Sequence, residues 1–293
     1  MNTVSLPQTK TGYAAIQQRY RALAEAARSG LPLEKPWQEY KNFVLSAPQP
    51  YHLRWIMRWL TTVSDGRPKS QTMIMEHGCG SASALLYMLA HGYTGIHGVD
   101  IHDGCEIWNR LLSEVFGVNE RRFSIYDGYT LPFADGSFDF VFSEEVLEHV
   151  APDVFTAYYD EGHRTLKPGG IAYYQVPHRL VPLESHLKAW FIHWLPRNIA
   201  TTIYRKLGFN HAYFAKHVFL RWPTDHYRQL NRLYGKWSDI TVGRLTENVD
   251  FEYYDGPRKL RVLLAAVMKL PLVGKLVAAG MAKFMMIQTV AWK

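Results

Sequence analysis

Residues 76–83, Glu-His-Gly-Cys-Gly-Ser-Ala-Ser, join a short apolar run at 72–75 to a helical pattern at 83–92. Such small residues let the backbone approach a ligand closely, and the start of the following helix favours an anionic group. A loop of this kind also fits a dinucleotide. However, Ser83 replaces the third glycine of that fingerprint, and Glu76 would repel a pyrophosphate but attract an ammonium group. We therefore expect a ligand with a cationic end.

Downstream of this loop, short apolar runs alternate with helical patterns. The predicted strands lie within 95–102, 121–128, 138–145 and 169–177, near 238–246 and in the closing run 285–293; the predicted helices lie near 104–116, 150–165 and 224–235. Strands that alternate with helices pair in parallel through right-handed crossovers. The sequence therefore predicts an open α/β sheet.

Acidic residues follow the next two strands after the loop. Asp100 comes 20 residues after Gly80, where a carboxylate can accept hydrogen bonds from both ribose hydroxyls. Asp127 follows the third strand, where it can accept from an adenine amino group. Parallel strands end at one edge of a sheet, so we expect Glu76, Asp100 and Asp127 to lie along one crevice.

Taken in order, these motifs resemble the class I S-adenosylmethionine-dependent methyltransferases, in particular the methyltransferase type 11-like branch with its ubiquinone- and menaquinone-type enzymes. The segments that carry the resemblance are EHGCGSAS (76–83), Asp100, DGYTLPFADGSFDFVFSEEVLEHV (127–150) and LKPGGIAYYQVPHR (166–179). With the closing strand they span about residues 72–293, apart from insertions. The resemblance implies a Rossmann-like, doubly wound, mostly parallel sheet of seven strands and S-adenosylmethionine as the cofactor.

The resemblance also implies a role for each site residue. Glu76 would organise the loop near the methionine ammonium, Asp100 would bind the ribose, and Asp127 would bind the adenine amino group. The remaining predicted cofactor-binding residues are Gly78, Cys79, Gly80, Ile101, Gly128 and Ser143. Many relatives have a third glycine where this chain has Ala82, and we expect the methyl group to be tolerated there.

Two histidines are candidate catalytic bases. Methyl transfer from a sulfonium is an in-line displacement that depends on positioning, and a hydroxyl acceptor also needs a base. His178 is the first candidate because it should project from a strand end into the crevice, and His149 is the second. For each histidine, a purely structural role, with the ring hydrogen-bonded to backbone groups, is an equally good interpretation.

A metal site is an open alternative. Glu145, Glu148 and His149 have the i, i+3, i+4 spacing that gives residues one face of a helix. Ubiquinone O-methyltransferases and small-RNA 2′-O-methyltransferases use such a motif, with a later histidine, to hold a divalent metal; here that histidine would be His217. The motif also occurs in relatives that bind no metal, where it braces the helix. We assign no metal ligand from the sequence.

The chain is expected to have three parts. Residues 1–70 are predicted to form a helical N-terminal cap, and residues 71–293 a methyltransferase domain with two insertions. The first insertion, 178–216, is aromatic and basic, so its aromatic residues either cover the acceptor or form a small core of their own. The second, 257–283, is apolar but is broken around Pro271, which predicts two short helices rather than a span of about 20 residues.

The charge is concentrated at the C-terminal end. The formal net charge is +7, and residues 256–293 contain seven basic side chains and no acidic one. This distribution predicts no nucleic-acid groove, and it favours either contact with an anionic membrane or packing on the domain or a dimer partner. Only two cysteines and no secretory leader predict a cytoplasmic protein.

These observations predict an enzyme that methylates a hydroxyl of a lipid-linked, glycosidic or other hydrophobic small molecule, at the inner face of a membrane. One alternative is a carbon-methyltransferase that acts on a quinone- or polyketide-like ring. The other is a non-catalytic binding protein with the same fold. A pure scaffold has no need of acidic residues at three strand ends, which argues against the last alternative.

Overall fold

Seven strands form one sheet in the computed structural model, which describes residues 9–247 and 258–293. The strands are β1 (Ile74–His77), β2 (Ile96–Asp100), β3 (Phe123–Ile125), β4 (Phe138–Glu144), β5 (Leu166–Val176), β8 (Lys236–Asp239) and β9 (Ile287–Trp292). A separate two-stranded sheet consists of β6 (Leu183–Glu184) and β7 (Ala189–Trp190).

Twelve helices surround the sheet within the described ranges. They are α1 (Thr9–Arg28), α2 (Glu34–Ser46), α3 (Tyr51–Val63), α4 (Ser83–Ala90), α5 (Trp108–Phe116), α6 (Phe155–Thr165), α7 (Arg197–Lys206), α8 (His211–His217), α9 (Pro223–Leu233), α10 (Thr241–Glu247), α11 (Arg258–Met268) and α12 (Pro271–Ala282).

The strand order is β3-β2-β1-β4-β5-β9-β8. Neighbours from β3 to β5 pair in parallel, whereas β9 runs antiparallel to both β5 and β8. The predicted doubly wound, mostly parallel sheet of seven strands is therefore confirmed. The order reverses between β1 and β4, and open α/β sheets bind ligands at the carboxyl ends of the strands beside such a reversal.

Alternate residues of the strands enter two hydrophobic cores, one on each face of the sheet. Ile74 and Phe140 belong to the core that contains α1 to α5, whereas Met75 and Val141 belong to the core that contains α6 and α9. A side-chain period of two, with both faces covered by helices, gives the nearly continuous apolar runs seen in the sequence.

One predicted strand is shorter than expected. The strand predicted near 238–246 ends at Asp239 as β8, and α10 begins at Thr241. The Asp239 Oδ1 atom accepts a hydrogen bond from the Thr241 N–H at 2.9 Å. A side-chain acceptor of this kind satisfies an otherwise unpaired donor at the start of a helix, so the chain turns out of the sheet there.

The first 70 residues reach the glycine-rich loop from one side. Where the structure describes them, they contain α1, α2 and α3. The Tyr20 hydroxyl donates to the Ser81 carbonyl oxygen at 2.7 Å, and the indole N–H of Trp108 donates to the same oxygen at 2.8 Å. The N-terminal helices therefore help to fix the loop that follows β1.

The segment 178–216, which we call the lid, contains β6, β7, α7 and most of α8. It has a core of its own that includes Tyr204 and Phe214, so Tyr204 packs inside the lid rather than on a ligand. Three of its aromatic side chains remain exposed: Trp190, Phe191 and Trp194. Some aromatic residues of the lid therefore form its own core, as one of the two expectations from the sequence has it. The exposed ones stay available for the other, which is to cover an acceptor.

Helices α11 and α12 form a bent pair near the C-terminal end. Among the described residues, no single helix has both the length and the apolar composition of a membrane span; residues 262–268 and 271–282 pass that test only together, across a bend of 118°. Several large apolar side chains of this pair are exposed, among them Val262, Leu272 and Leu276.

Asp139 connects the cap to the sheet and gives a first prediction. Its carboxylate accepts hydrogen bonds from Arg67 (2.9 Å), Lys167 (3.0 Å) and the Met73 N–H (2.8 Å). Burial acts to raise the pKa of this carboxyl, but these donors outweigh it and lower the pKa. We expect Asp139→Asn to reduce the free energy of unfolding by about 1.5–3 kcal/mol at neutral pH, as measured by urea denaturation.

The matched control is Asp135→Asn, because Asp135 pairs with Arg164 while its side chain is 82% exposed. This control should change stability by about 0–1 kcal/mol. A depressed folded pKa stabilises the fold above the unfolded pKa, so the deficit of Asp139→Asn should shrink as the pH falls below about 4. Equal losses in the two variants would contradict this account.

Candidate active site

The carboxyl ends of β1, β2 and β4 enclose a crevice of about 630 Å³. A neighbouring pocket of about 270 Å³ continues it toward the end of β3. Of the predicted residues, the crevice is lined by Glu76, Gly78, Cys79, Gly80, Asp100 and Ile101, and the neighbouring pocket by Gly78, Asp100, Ile101, Asp127 and Gly128. The structure therefore brings these residues together at one edge of the sheet.

Backbone contacts hold the glycine-rich loop against β2. Gly78 and Cys79 both donate their N–H groups to the Val99 carbonyl oxygen at 2.9 Å. The Gly80 N–H donates to Asp100 Oδ2 at 2.7 Å, and the His102 N–H donates to Asp100 Oδ1 at 3.0 Å. Asp100 thus fixes the loop while its carboxylate lines the crevice.

Ala82, where many relatives have glycine, lies in the left-handed region at φ 61° and is fully buried. The methyl group is accommodated in the core. The left-handed conformation costs a non-glycine residue about 1–2 kcal/mol.

Glu76 and Glu144 each have a buried carboxyl oxygen without a hydrogen-bond partner in the described part of the chain. Atoms Glu76 Oε2 and Glu144 Oε1 have no hydrogen-bond partner among the described residues. Burial, and then the nearby carboxylates of Glu144 and Asp100, raise the pKa of Glu76 well above its usual range. Burial also raises the pKa of Glu144 to about 8. A ligand ammonium group would relieve this desolvation, so the residues present fit a ligand with one cationic end.

A second cavity, of about 200 Å³, lies behind these carboxylates. It is bounded by Glu76, Glu144 and, from the N-terminal helices, Tyr20, Tyr40 and His52. Because Glu76 and Glu144 also line the crevice, the two spaces share one acidic wall.

Asp127 is exposed at the far end of the crevice. Its Oδ1 atom accepts hydrogen bonds from the N–H groups of Thr130 and Tyr129, both at 2.8 Å. These backbone donors lower the pKa of the carboxyl. The bonds engage Oδ1, so the turn after β3 holds an ionised carboxylate beside the neighbouring pocket.

Ser143 does not line the crevice, which corrects its predicted position. Its hydroxyl hydrogen-bonds to the Tyr158 hydroxyl at 2.8 Å, and Tyr158 in turn donates to the His77 carbonyl oxygen at 2.7 Å. Successive side chains of a strand point to opposite faces. Glu144, the next residue, reaches the crevice instead, together with Glu145.

His178 also lies outside the crevice, so the prediction that it projects there is wrong. Its side chain is buried, Nε2 donates to the Met285 carbonyl oxygen at 2.6 Å, and Nδ1 accepts from the Leu180 N–H at 3.2 Å. Burial lowers the pKa of this imidazole, although the bond to Met285 opposes the shift. With both nitrogens bound to backbone, His178 braces the chain before β9.

His149 does line the crevice. Its Nδ1 donates to the His217 carbonyl oxygen at 2.6 Å, which leaves Nε2 as the acceptor nitrogen. Burial lowers the pKa of the imidazole. The ring is therefore neutral at neutral pH and able to accept a proton.

The motif at 145–149 is not helical, contrary to the expectation of a shared helix face. Residues 147–149 form a turn, Glu145 has a left-handed backbone at φ 54°, and α6 begins only at Phe155. Glu145 accepts a hydrogen bond from the Gln175 side chain at 3.0 Å. The backbone therefore changes direction at Glu145, and residues three and four apart do not stack as they do on a helix.

Several residues of the crevice were missed by the sequence analysis. They include Glu144, His102, Tyr126 and Tyr213. The run of two glutamates at the end of the apolar strand β4 was a usable signal for Glu144. Tyr213 comes from the lid, and nothing in the local sequence indicates that it returns to the sheet.

Residues 75–174 match the family described as Methyltransferase domain. Among solved structures, the chain is similar to a geranyl diphosphate C-methyltransferase from Streptomyces coelicolor A3(2), with 13% identity over 87% of this chain and 84% of the other and a TM-score of 0.44. It is also similar to phosphoethanolamine N-methyltransferase 2 of Haemonchus contortus, with 13% identity over 81% of this chain and 52% of the other and a TM-score of 0.46. No curated protein sequence matches the chain significantly.

The reversed sheet, the glycine-rich loop and the acidic strand ends are the features of a Rossmann-like fold with a ligand crevice at the carboxyl ends of its strands. The match over residues 75–174 identifies that part of the chain as a methyltransferase domain, and its crevice is consistent with S-adenosylmethionine as the cofactor.

Glu76 gives a prediction with two readouts. Because its folded pKa is raised, ionisation of Glu76 costs stability as the pH rises above the unfolded value of about 4.3. We expect ligand-free Glu76→Gln to gain stability relative to the unsubstituted protein, by an amount that grows as the pH rises above the unfolded pKa, as measured by urea denaturation. At neutral pH it should bind S-adenosylmethionine about 10- to 100-fold more weakly, measured by calorimetry, because a charged hydrogen bond is lost. An unchanged affinity for S-adenosylmethionine would show that Glu76 does not contact the cofactor.

Gly78 and Gly80 provide a matched pair. Both have positive φ, at 79° and 51°. A Cβ at Gly78 would lie 2.5 Å from Val146 Cγ1, whereas a Cβ at Gly80 meets nothing within 4 Å. We expect Gly80→Ala to cost about 1–2 kcal/mol of backbone strain and Gly78→Ala clearly more, by thermal unfolding of the ligand-free proteins. Equal costs would show that Val146 moves aside freely.

Proposed function

We propose that the enzyme methylates a hydroxyl group of a lipid-linked, glycosidic or other hydrophobic small molecule at the cytoplasmic face of a membrane. The observation that carries this proposal is an exposed apolar surface beside a crevice whose rim holds carboxylates and an imidazole. The bound cofactor supplies an electrophilic methyl group on a sulfonium. The residues of the chain bind that cofactor, orient the acceptor and take up its proton.

The cofactor would extend along the crevice from β1 to β3. We assign the methionine ammonium to Glu76, the ribose hydroxyls to Asp100 and the adenine amino group to Asp127. The buried, unpartnered oxygen of Glu76 supports the first assignment. The order of the carboxylates, with Asp100 shared by the crevice and its neighbouring pocket, supports the other two.

The acceptor would meet the cofactor at the rim near the end of β4. Glu145, His149, Tyr213 and His217 all line this side of the crevice. A hydroxyl needs a proton acceptor at its oxygen. The imidazole of His149 is neutral, and its Nδ1 donates to a carbonyl oxygen, which leaves Nε2 as an acceptor. Nε2 is therefore suited to accept a hydrogen bond, and then the proton, from the acceptor hydroxyl. His178, bound on both sides by backbone, is not proposed as a base.

A nearby surface is suited to a membrane. The Trp194 and Phe284 rings stack with their centroids 6.4 Å apart, so the lid meets the end of the α11–α12 pair. Both segments expose large apolar side chains, which are Trp190, Phe191, Leu195, Val262, Leu263, Leu270, Leu272 and Leu276. Lys269, Lys275 and Lys283 are exposed among them. Apolar groups that enter the acyl region, flanked by lysines at the headgroups, are typical of an interfacial helix pair.

This proposal predicts that the enzyme binds vesicles containing anionic lipid and methylates material extracted from membranes. In flotation with phosphatidylglycerol-containing vesicles, Leu272→Asp/Leu276→Asp should lose most binding, because two charges would have to enter the apolar layer. Leu31→Asp, at a residue that is 55% exposed in the N-terminal part, is the matched control and should float like the unsubstituted protein.

The acceptor class is tested with S-adenosylmethionine that carries a ¹³C-labelled methyl group, incubated with a membrane lipid extract. We expect the label in the organic phase, with the NMR shift of an O-methyl group. A C-methyl shift would establish the ring-methylation alternative. Cofactor binding without any labelled product from lipid or aqueous extracts would favour the non-catalytic alternative.

A further inference from the structure

Three side chains with metal-binding atoms meet where the lid reaches the rim of the crevice. Glu148 and His149 lie in the turn after β4, and His186 lies in the lid between β6 and β7. One donor atom from each residue lies within 4.8 Å of the other two. The His149 and His186 rings are 4.6 Å apart between centroids.

Both imidazoles are held in place through Nδ1. His149 Nδ1 donates to the His217 carbonyl oxygen at 2.6 Å. His186 Nδ1 bonds to Glu184 Oε1, also at 2.6 Å. A hydrogen bond at one ring nitrogen fixes the tautomer and leaves the lone pair on the other nitrogen, which is the usual arrangement behind a metal-bound histidine.

The carboxylate behind His186 is itself fixed. Glu184 accepts hydrogen bonds from the N–H groups of His186 at 3.1 Å and Leu187 at 2.6 Å. Its side chain is 1% exposed. The exposed His186 ring is therefore oriented by a buried carboxylate, and its Nε2 is left free of that bond.

The Glu148 carboxylate is the member of this cluster that has no hydrogen-bond partner in the part of the chain that the structure describes. Its side chain is 1% exposed, and neither carboxylate oxygen has a hydrogen bond to any described residue. Buried carboxylates are normally paired or bound to a metal, because an isolated buried charge is costly. Two nearby carboxylates, Glu145 and Glu184, add further negative charge, so a cation is the ligand that this position favours.

From this geometry we propose that Glu148, His149 and His186 bind a divalent transition-metal ion through one carboxylate oxygen and two Nε2 atoms. Two imidazoles and one carboxylate are ligands suited to Zn²⁺, Co²⁺ or Fe²⁺ rather than to Mg²⁺. Three protein ligands leave one position of a tetrahedral ion open, as in catalytic zinc sites.

This ligand set differs from the one considered from the sequence motif. Glu145 is bound to Gln175, and His217 contributes its backbone carbonyl to His149 rather than its ring. The third ligand comes from the lid, 37 residues after His149. The site thus depends on the tertiary contact between the lid and the turn after β4.

The spacing of the donors suits a single ion. Ligand atoms about 2.0–2.1 Å from a tetrahedral ion are about 3.3 Å apart, and these donors lie within 4.8 Å of one another. If the proposed function is correct, the acceptor hydroxyl would take the open position and lose its proton to solvent more readily there, because His149 Nε2 would then be a ligand and no longer the base. That role rests on the proposed function, whereas binding of the ion does not.

The test measures metal binding alone, with untagged protein stripped by a chelator and no cofactor or acceptor. Co²⁺ titration should give the visible absorption of a four-coordinate ion with one equivalent bound, and Zn²⁺ should displace it. We expect His186→Gln and Glu148→Gln each to weaken Co²⁺ binding at least tenfold. Glu148→Gln replaces an unpartnered buried carboxyl with an amide of nearly the same shape, so it should fold about as well as the unsubstituted protein.

The matched control is His217→Gln, which should bind Co²⁺ within about threefold of the unsubstituted protein, because only its backbone carbonyl supports the site. Absence of Co²⁺ binding in the unsubstituted protein would overturn the proposal. Equal binding in all variants, or loss in His217→Gln but not in His186→Gln, would also overturn it. Because this experiment measures metal binding and not methyl transfer, a negative result would not bear on the proposed function, which has a separate test.

Discussion

Parallel pairing of β1 with both β2 and β4 is the constraint on which the site depends. It brings the carboxyl ends of the strands to one edge of the sheet, and the reversal of strand order between β1 and β4 opens a crevice there. The glycine-rich loop can lie in that crevice because its backbone bonds to Val99 and to the Asp100 carboxylate. A change in register would move every acidic strand end away from this edge.

The protein gathers buried carboxyl groups at this edge and, within the described ranges, leaves several of their oxygens without hydrogen-bond partners. Glu76, Glu144 and Glu148 are carboxylates with oxygens that lack partners among the described residues, and burial raises the pKa of each. Such an arrangement costs stability, and it persists where ligands repay the cost. This protein fits that pattern, with an ammonium group proposed as the ligand of Glu76 and a metal ion as the ligand of Glu148.

The lid lies between the crevice and the exposed apolar side chains of the α11–α12 pair. The lid packs its own core, sends Tyr213 back to the crevice, and meets the C-terminal helix pair through Trp194 and Phe284. If His186 binds a metal together with the turn after β4, the same lid would couple the position of the acceptor to that of the exposed apolar surface.

The sequence alone determined the sheet, the loop and the acidic strand ends, including Glu76 and Asp100, because strand periodicity and glycine turns are local properties. Its errors lie where side-chain direction depends on distant segments. His178 is bound by the backbone before β9, and Ser143 points to the opposite face of its strand from the crevice. His186 joins Glu148 only because the lid folds back over 37 residues. Contacts of that range are set by packing of the whole chain, which no local pattern records.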